Sequence, residues 1–313
     1  MVDARTAPVL EAPASQAPSR GYWADGWYRL LHSRAGVAGL IIVGLLGLLA
    51  IVGPMVAPWD YRVQDIQPVR ANGGPLPPLS PGHILGTDRL GRDLFSRTLD
   101  GAQISMTVAL IAQVVVLVIG FPIGAIAGWR GGRTDTLLMR LTDVVFAFPE
   151  LLFVIMCTSA VVGTPWFRML NGLLIVFLAI GVSAWVTMAR LVRAQVMSLK
   201  HREFVEAARA MGVSDRRILV RHVMPNAVSP VIVAISIGIP GAVLLESTLS
   251  FLGLGVQAPR ASWGSLIADG IEYATRWPWL VIPPMVALVI ALIGFTLLGD
   301  GLRDAFDPRT RRR

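Results

Sequence analysis

The chain has 313 residues, of which 54% are hydrophobic and only 15% are charged, and its mean hydropathy is +0.62. This composition excludes a water-soluble domain of the same size and predicts a protein embedded in a lipid bilayer. The net charge of +8 comes from 28 basic and 20 acidic residues. Such an excess fits nucleic-acid binding, anionic-lipid binding or an oriented membrane protein, so the positions of the arginines must decide.

Residues that carry metal or phosphate chemistry are scarce in the sequence. Cys157 is the single cysteine, so no internal disulfide can form, and four dispersed histidines offer no zinc motif. Lys200, the single lysine, does not follow a glycine-rich phosphate loop. We expect no catalytic residue, metal site or bound cofactor in this chain, and any ATP that is used must be hydrolysed by another subunit.

The N-terminal 35 residues precede the first apolar run of spanning length. Residues 1–20 are rich in Ala and Pro and predict a disordered tail. Trp23, Trp27, Leu30 and Arg34 then recur at helical spacing, which predicts a short amphipathic helix in the membrane interface. An ordinary juxtamembrane linker is the alternative.

Six apolar segments are long enough to cross a bilayer, which predicts an all-α integral membrane protein with six transmembrane helices. They are 37–57, 103–128, 137–161, 169–189, 228–252 and 279–299. The predicted organisation has four parts: residues 1–35 as tail and interfacial helix, 36–100 as first span and external loop, 101–300 as the core with spans two to six, and 301–313 as a basic tail.

The basic residues are distributed asymmetrically about these spans. With both termini in the cytoplasm, 20 of the 28 basic residues face the cytoplasm, and eight of those lie in the 190–222 loop. The positive-inside rule therefore favours this orientation. Because topology accounts for the basic excess, nucleic-acid binding loses its main support.

Glycine and proline mark two features of the spans. Gly120, Gly124 and Gly128 place a small residue at every fourth position of the second span, which predicts a seam for close helix packing. In the fifth span, the sequence predicts an interruption and a hinge that helps a gate to open. The hinge residues are Gly238, Pro240 and Gly241, and the expected gate or translocation path comprises Glu246, Ser250, Phe251, Gly253 and Gly255.

The 190–226 segment is basic, helically patterned and too long for a tight turn. Phe204, Ala208 and Met211 fall at i, i+4 and i+7, which predicts a narrow helix that enters a groove on a partner. Gly212 ends this helix, and a second helix is expected to run through Met224. A hairpin that merely connects two spans is the alternative.

The segment contains Glu206-Ala207-Ala208, then Gly212 after three further residues, and then His222 and Pro225. In this pattern it resembles the EAA signature of binding-protein-dependent ABC importer permeases. In that family the loop docks in a cleft of the ATPase subunit, so the resemblance implies the same contact here. The residues to which the resemblance assigns ATPase coupling are Glu206, Ala207, Ala208, Met211, Gly212, His222 and Pro225.

Further stretches are similar to the C-type permease of the dipeptide, oligopeptide and nickel branch of that family, namely 83–97, 250–257, 262–264 and 298–304. The resemblance implies a type I ABC importer (MetI-like) fold in the cytoplasmic membrane of a prokaryote. It also implies a heterodimer with a second permease, two cytoplasmic subunits that bind ATP and Mg, and an extracytoplasmic substrate-binding protein. Gln103 and Pro283-Pro284 depart from the family pattern.

The implied function is ATP-driven uptake of short peptides, with nickel or another small solute as the alternative within this class. A proton-coupled secondary transporter that uses Asp143, Glu150 or Glu246 is an alternative of a different class. It gives no reason for the spacing from Glu206 to Pro225. An intramembrane hydrolase is a third class, for which the sequence offers neither a G-x-S-x-G elbow nor a metal pair.

Four polar residues outside the loop are further candidates for a functional or a structural role. Glu246 is the best pore candidate, meeting a peptide's amino group, or else makes a structural hydrogen bond to a neighbouring helix or permease. Asp143 is expected at the interface near Arg140, and Glu150 is expected to cap a kink after a proline. A lone histidine such as His83 is expected to be a packing or solvated residue rather than a nickel ligand.

Overall fold

The computed structural model describes residues 22–165 and 172–306. The predicted disordered tail therefore lies outside the described residues, as do residues 307–313 of the predicted basic tail and residues 169–171 at the start of the predicted fourth span. Helices dominate the described residues. They are α1 (Tyr22–His32), α2 (Arg34–Val56), α3 (Ile66–Ala71), α4 (Leu94–Arg130), α5 (Gly132–Phe146), α6 (Glu150–Val161), α7 (Leu173–Lys200), α8 (Glu203–Ala210), α9 (Asp215–Ile218), a π-helix (Leu219–Val223), α10 (Met224–Phe251), α11 (Trp263–Ile271), a 3₁₀ helix (Pro278–Leu280) and α12 (Ile282–Phe306).

Five helical segments of the described chain are long and apolar enough to cross a membrane, and the number is six when a bent pair of helices is counted as one span. The five are Arg34–Val56, Leu94–Arg130, Leu173–Lys200, Asp215–Phe251 and Pro278–Phe306. The bent pair is α5 with α6. The all-α membrane architecture predicted from the sequence is therefore present in the structure.

The third span departs from its prediction as one continuous helix. The α5 and α6 axes meet at 78° across a short break that contains Pro149. Proline has no N–H to donate, and it disfavours helical backbone in the residue before it. The chain therefore leaves the helix after Phe146 and starts a new one at Glu150.

Three other spans extend beyond their predicted bounds. Helix α4 begins at Leu94 rather than near residue 103, because the Asp93 carboxylate caps it by accepting a 2.8 Å hydrogen bond from the Ser96 N–H. Helix α7 continues to Lys200, so the segment expected to be a loop from residue 190 starts as helix. Likewise, α12 continues to Phe306, and residues 301–306 belong to the last span rather than to a tail.

The predicted interruption of the fifth span is wrong. Helix α10 runs without a break from Met224 to Phe251, through Gly238, Pro240 and Gly241. One proline removes a single backbone hydrogen bond, which a helix packed on several neighbours tolerates. A π-helix instead lies before Met224 and runs directly into α10, with Pro225 just after the junction. A hinge at residues 238–241 stays a prediction.

The core lies where α4, α7 and α10 pack together, with α2 and α12 alongside. Val108, Ala109, Val176 and Val243 are fully buried there. Small glycines allow α4 and α7 to approach closely. A methyl group at Gly120 would lie 2.7 Å from the carbonyl oxygen of Trp185, and those at Gly124 and Gly128 would meet the carbonyls of Ala189 and Arg193 in the same way.

Helix α1 is present where the sequence predicts an amphipathic helix. Its Leu30 is buried against Leu302, Ala305 and Phe306 at the end of α12. The contact fixes α1 to the last span. Its placement in the membrane interface stays a prediction.

Candidate functional site

Residues 201–223, named here the basic hairpin, connect α7 to α10. Helix α8 ends at a sharp reversal in which Gly212 has φ +75° and the Val213 N–H donates to the Ala208 carbonyl at 3.1 Å. Glycine reaches this left-handed conformation without the steric cost that a Cβ brings. The turn returns the chain through α9 towards the fifth span.

The inner face of the basic hairpin is apolar and packs on its own chain. Val205 is fully buried and Ala208 nearly so, and both lie in a cluster with Val196 of α7, Ile218 and Val223. The prediction that Ala208 shares one docking face with Phe204 and Met211 is therefore wrong. In the helix, residues 205 and 208 turn inward, while residues 204, 207 and 211 turn outward.

The outer face of the basic hairpin is exposed and has no partner among the described residues. Met211 is 75% exposed and Phe204 41%, which is unusual for large apolar side chains outside a bilayer. Of the residues that the resemblance assigns to ATPase coupling, five are exposed and His222 is half-buried. The exposed ones are Glu206, Ala207, Met211, Gly212 and Pro225. Ala208 is the exception, because its side chain is buried.

Trp129, at the end of α4, anchors the basic hairpin, and the sequence analysis missed it. Lys200 Nζ donates to the Trp129 carbonyl at 2.6 Å, and the Arg209 guanidinium lies 5.2 Å from the centre of the Trp129 ring. Arg209 also contacts Asp215 at 3.3 Å. The only sequence signal was the position of Trp129 at the end of a charge-free stretch.

Two arginines of α7 pair with acids of α5 near the basic hairpin. Arg193 makes a bidentate ion pair with Asp135. Its Nε donates to Oδ1 at 2.5 Å and its Nη2 donates to Oδ2 at 2.6 Å. Arg190 pairs with Asp143 at 2.7 Å. Asp143 was expected near Arg140, but its observed ion pair is across helices, with Arg190.

Glu246, the pore candidate, is enclosed by protein. Its side chain has no exposed surface, and its carboxylate accepts hydrogen bonds from Ser250 at 2.7 Å, Ser105 at 2.9 Å and Ser247 at 3.4 Å. A carboxylate inside a membrane protein is stable only with such donors. The prediction that Glu246 lines a translocation path is therefore wrong for this conformation, and the structural alternative fits.

The residues of the expected gate around 250–255 differ in their exposure. Ser250 is buried, and its Oγ also accepts the Val256 N–H at 3.3 Å. Gly253 has φ +78°, and a side chain at Gly255 would collide with Ser250. Phe251 and Gly253 are the exposed members. The segment is a tight, hydrogen-bonded end of α10, and a gating role stays a prediction.

At the opposite end from the basic hairpin, residues 83–100 and 260–269 form what we name the ion-pair cap. Asp88 Oδ2 accepts from Arg92 at 2.6 Å and from Arg97 at 2.7 Å, and all three side chains are about nine-tenths buried or more. His83 is also buried; its Nδ1 lies 2.8 Å from Asp93, and its ring stacks on Trp59. His83 is therefore a packing residue.

Arg260 extends the ion-pair cap to the loop before α11. It contacts Asp100 and the Gln103 side-chain oxygen at 2.9 and 2.7 Å. Gln103, which departs from the family pattern, is therefore an acceptor for an arginine from another part of the chain. The described residues contain no cluster of three or more His, Cys, Asp or Glu side chains suited to a metal.

A cleft of about 770 Å³ opens between α4, the α5–α6 bend, α7 and α10. Its lining is mainly apolar and includes Phe146, Phe148 and Leu245, but Gln113 and Glu150 also line it. The Ser183 hydroxyl donates to Glu150 at 3.1 Å. Sequence analysis singled out Glu150 as a cap of the kink but missed Gln113, whose polarity in a charge-free stretch was the available signal.

Comparison with known proteins agrees with this architecture. A family model described as "Binding-protein-dependent transport system inner membrane component" matches residues 120–312. A second, described as "N-terminal TM domain of oligopeptide transport permease C", matches residues 21–78. The chain therefore belongs to the family of binding-protein-dependent transport system inner membrane components and is a multi-pass permease of a bacterial transporter.

Individual relatives extend along the whole chain. The oligopeptide transport system permease protein OppC of Bacillus subtilis is 39% identical over 312 residues, which cover 100% of this chain and 98% of that protein. OppC of Escherichia coli K12 is 40% identical, covering 95% and 94%. The dipeptide transport system permease protein DppC of B. subtilis is 39% identical, covering 96% and 90%.

The fold is shared with a more distant transporter. A solved structure of the MetNI methionine ABC transporter in inward facing conformations matches with a TM-score of 0.51 and 19% identity, over 66% of this chain and 94% of that chain. The type I, MetI-like fold implied by the sequence resemblance is confirmed. The family assignment is confirmed as well, and the chain is a transport component.

Proposed function

We propose that this chain is one permease subunit of an ATP-driven importer that carries short peptides across the cytoplasmic membrane. The support is the identity of about 40% to oligopeptide and dipeptide permeases along nearly the full chain. In this proposal the second permease forms a heterodimer with this chain, a substrate-binding protein delivers the peptide from outside, and two cytoplasmic subunits bind ATP and Mg and hydrolyse the ATP. This chain binds no cofactor and does no covalent chemistry.

The observation that carries the coupling part of the proposal is the outer face of the basic hairpin. Phe204 and Met211 expose apolar side chains there, and Ala207 between them leaves the surface low enough to fit a groove. The inner face is fixed to α4 and α7 through Val205 and Trp129. A push on the hairpin is thus transmitted to the spans, which then alternate between inward-open and outward-open arrangements.

In the proposed orientation the basic hairpin is cytoplasmic and the ion-pair cap is outside. The distribution of basic residues supports it, since 20 of 28 lie on the hairpin's side of the membrane. Both termini are then cytoplasmic. The ion-pair cap faces the compartment from which the binding protein delivers substrate.

The test is uptake of radiolabelled tri-alanine into proteoliposomes that contain the complete importer. We expect uptake only with both ATPase subunits, ATP and the peptide-loaded binding protein present. A control with this permease pair alone and a proton gradient distinguishes the secondary-transporter alternative. Uptake in that control would contradict the proposal, as would transport of ⁶³Ni²⁺ with no transport of tri-alanine.

A further inference from the structure

The cleft between α4, the α5–α6 bend, α7 and α10 contains two polar groups whose bonding is incomplete. Gln113 is only 7% exposed, yet in the described part of the chain no hydrogen bond reaches its side-chain amide, which lines the cleft. It lies near the middle of the charge-free stretch 101–129. Because this amide opens onto the cleft and no described residue bonds to it, its donors and its acceptor are available to a ligand in the cleft.

Gly238 of α10 has no side chain and so leaves room for the Gln113 amide. A Cβ at residue 238 would lie 2.8 Å from Oε1 and 3.0 Å from Nε2 of Gln113. The glycine therefore lets the amide stand between α4 and α10, with its edge towards the cleft. This close approach explains the glycine without any break in the helix.

Glu150 is the second polar group, and it begins α6 on the cleft wall. Its only hydrogen bond from a described residue comes from the neutral Ser183 hydroxyl, and no described basic side chain forms an ion pair with it. The surrounding wall carries Phe146, Phe148 and Phe153. An exposed carboxylate in such a wall at membrane depth has one obvious complement, a cation that arrives from elsewhere.

The chemistry of the cleft decides which cation fits. One carboxylate and one amide, with no His or Cys in the lining, are a poor ligand set for nickel or another transition metal. An ammonium group needs only a carboxylate and a few hydrogen-bond acceptors. The cavity volume also falls in the usual range for small-molecule sites, and its apolar wall suits aliphatic or aromatic side chains.

We propose that this cleft binds the peptide during translocation, with Glu150 receiving the protonated amino terminus and Gln113 hydrogen bonding to the peptide main chain. The proposal rests on the peptide-import function proposed above and adds the residues that meet the substrate. Because the amino terminus and main chain are common to all peptides, these contacts do not depend on the substrate's sequence. The apolar wall then accommodates different side chains.

The first experiment tests the location directly. The complete importer is loaded with Ala-photoleucine-Ala, trapped with ATP and vanadate, and irradiated, and cross-linked residues are found by mass spectrometry. We expect cross-links in residues 110–117 of α4 and 146–153 around the bend. Uptake of the same peptide with cross-links confined to other parts of this chain would overturn the proposal.

The second experiment tests the charge. We expect Glu150→Gln, which keeps the size and an acceptor oxygen, to slow tripeptide uptake per ATP hydrolysed about tenfold, the effect of losing one charge-assisted hydrogen bond. Gln113→Leu removes the amide at similar volume and is expected to act in the same direction. Glu272→Gln is the matched control, since Glu272 is an exposed carboxylate outside the cleft, and it should transport like wild type.

Ser183→Ala distinguishes recognition from a structural brace at the bend. It removes the hydrogen bond to Glu150 but leaves the charge, so we expect a loss well below that of Glu150→Gln. Equal losses in the two variants would make Glu150 a brace and overturn the proposal. If wild-type importer takes up the peptide and Glu150→Gln does so equally well, this inference fails while the proposed function stands; if wild type takes up no peptide, the proposed function itself fails.

Discussion

At the ion-pair cap, the carboxylate of Asp88 lies between two arginine side chains, and none of the three is more than one-tenth exposed. Near the basic hairpin, the ion pair between Arg190 and Asp143 has a similar length of 2.7 Å, but its two side chains are 39% and 65% exposed. Arginine–aspartate ion pairs are therefore buried at one end of the molecule and exposed at the other. Water competes for one set of charges and is excluded from the other.

This difference determines which end can rearrange. Separating a buried ion pair leaves charges without partners in a medium of low dielectric, which is strongly unfavourable, whereas an exposed pair exchanges its partner for water at little cost. The ion-pair cap is therefore built to keep one geometry. The exposed ion pair between α5 and α7 can re-form in a new arrangement, beside the basic hairpin that in the proposed function receives force from an ATPase.

The largest expected effect tests this contrast directly. Asp88→Ala leaves Arg92 and Arg97 buried without their carboxylate, and we expect the free energy of unfolding to fall by about 3–5 kcal/mol. Asp143→Ala removes the matched carboxylate of an exposed pair, and we expect a loss of about 0–1 kcal/mol. Thermal unfolding of the purified chain in detergent measures both. Similar losses in the two variants would contradict the claim that burial makes the Asp88 ion pairs harder to separate than the Asp143 pair.

The two alanines of the EAA signature allow the inner and outer faces of the basic hairpin to be compared. Ala208→Leu inserts three carbons into the packed inner face, and we expect a loss of about 1–3 kcal/mol in unfolding free energy. Ala207→Leu changes the outer face and should leave stability within about 0.5 kcal/mol of wild type. It should nevertheless reduce the ATP hydrolysis that peptide-loaded binding protein stimulates in the assembled importer. Normal stimulation in Ala207→Leu would contradict docking through this face.

The smallest expected effect concerns Arg209, which contacts both Asp215 and the Trp129 ring. Arg209→Ala should lower the unfolding free energy by about 1 kcal/mol or less, because the guanidinium and its Asp215 partner are both exposed to solvent. The loss should shrink between 0.05 M and 0.5 M NaCl, since salt screens exposed charges. Arg216→Ala, at an exposed arginine with no ion-pair partner among the described residues, is the control. A salt-independent loss at Arg209 would indicate packing rather than charge.

The sequence predicted the membrane class and the number of spans because hydropathy over about 20 residues reflects the bilayer itself. It predicted the turn at Gly212 for a comparable reason, since only a local backbone conformation is involved. The packing role of the glycines at 120, 124 and 128 was also predicted, because their spacing indicates a close helix neighbour. The spacing does not say which helix that neighbour is. The structure identifies α7 as that neighbour.

Other features depended on information that one segment does not contain. Whether Ala207 or Ala208 faces outward is decided by packing on α7, and an alanine at either position has the same local pattern. Glu246 was assigned to a pore because the sequence shows its neighbours Ser247 and Ser250 on α10 but not the third donor, Ser105 of α4, nor the packing that encloses the carboxylate. The continuity of α10 was missed because the local cost of Pro240 was weighed without the packing around it.

The bend in the third span also has a consequence for how the chain is made. At 1.5 Å per residue, the 15 residues of α5 and the 12 of α6 measure about 22 and 18 Å, so neither half crosses a hydrocarbon core of about 30 Å alone. The groups that bond to the acids of these halves, Ser183 and Arg190, belong to the next span. We therefore expect the third span to reach its final depth only after the ribosome has synthesised the fourth, with the two entering the bilayer as one unit.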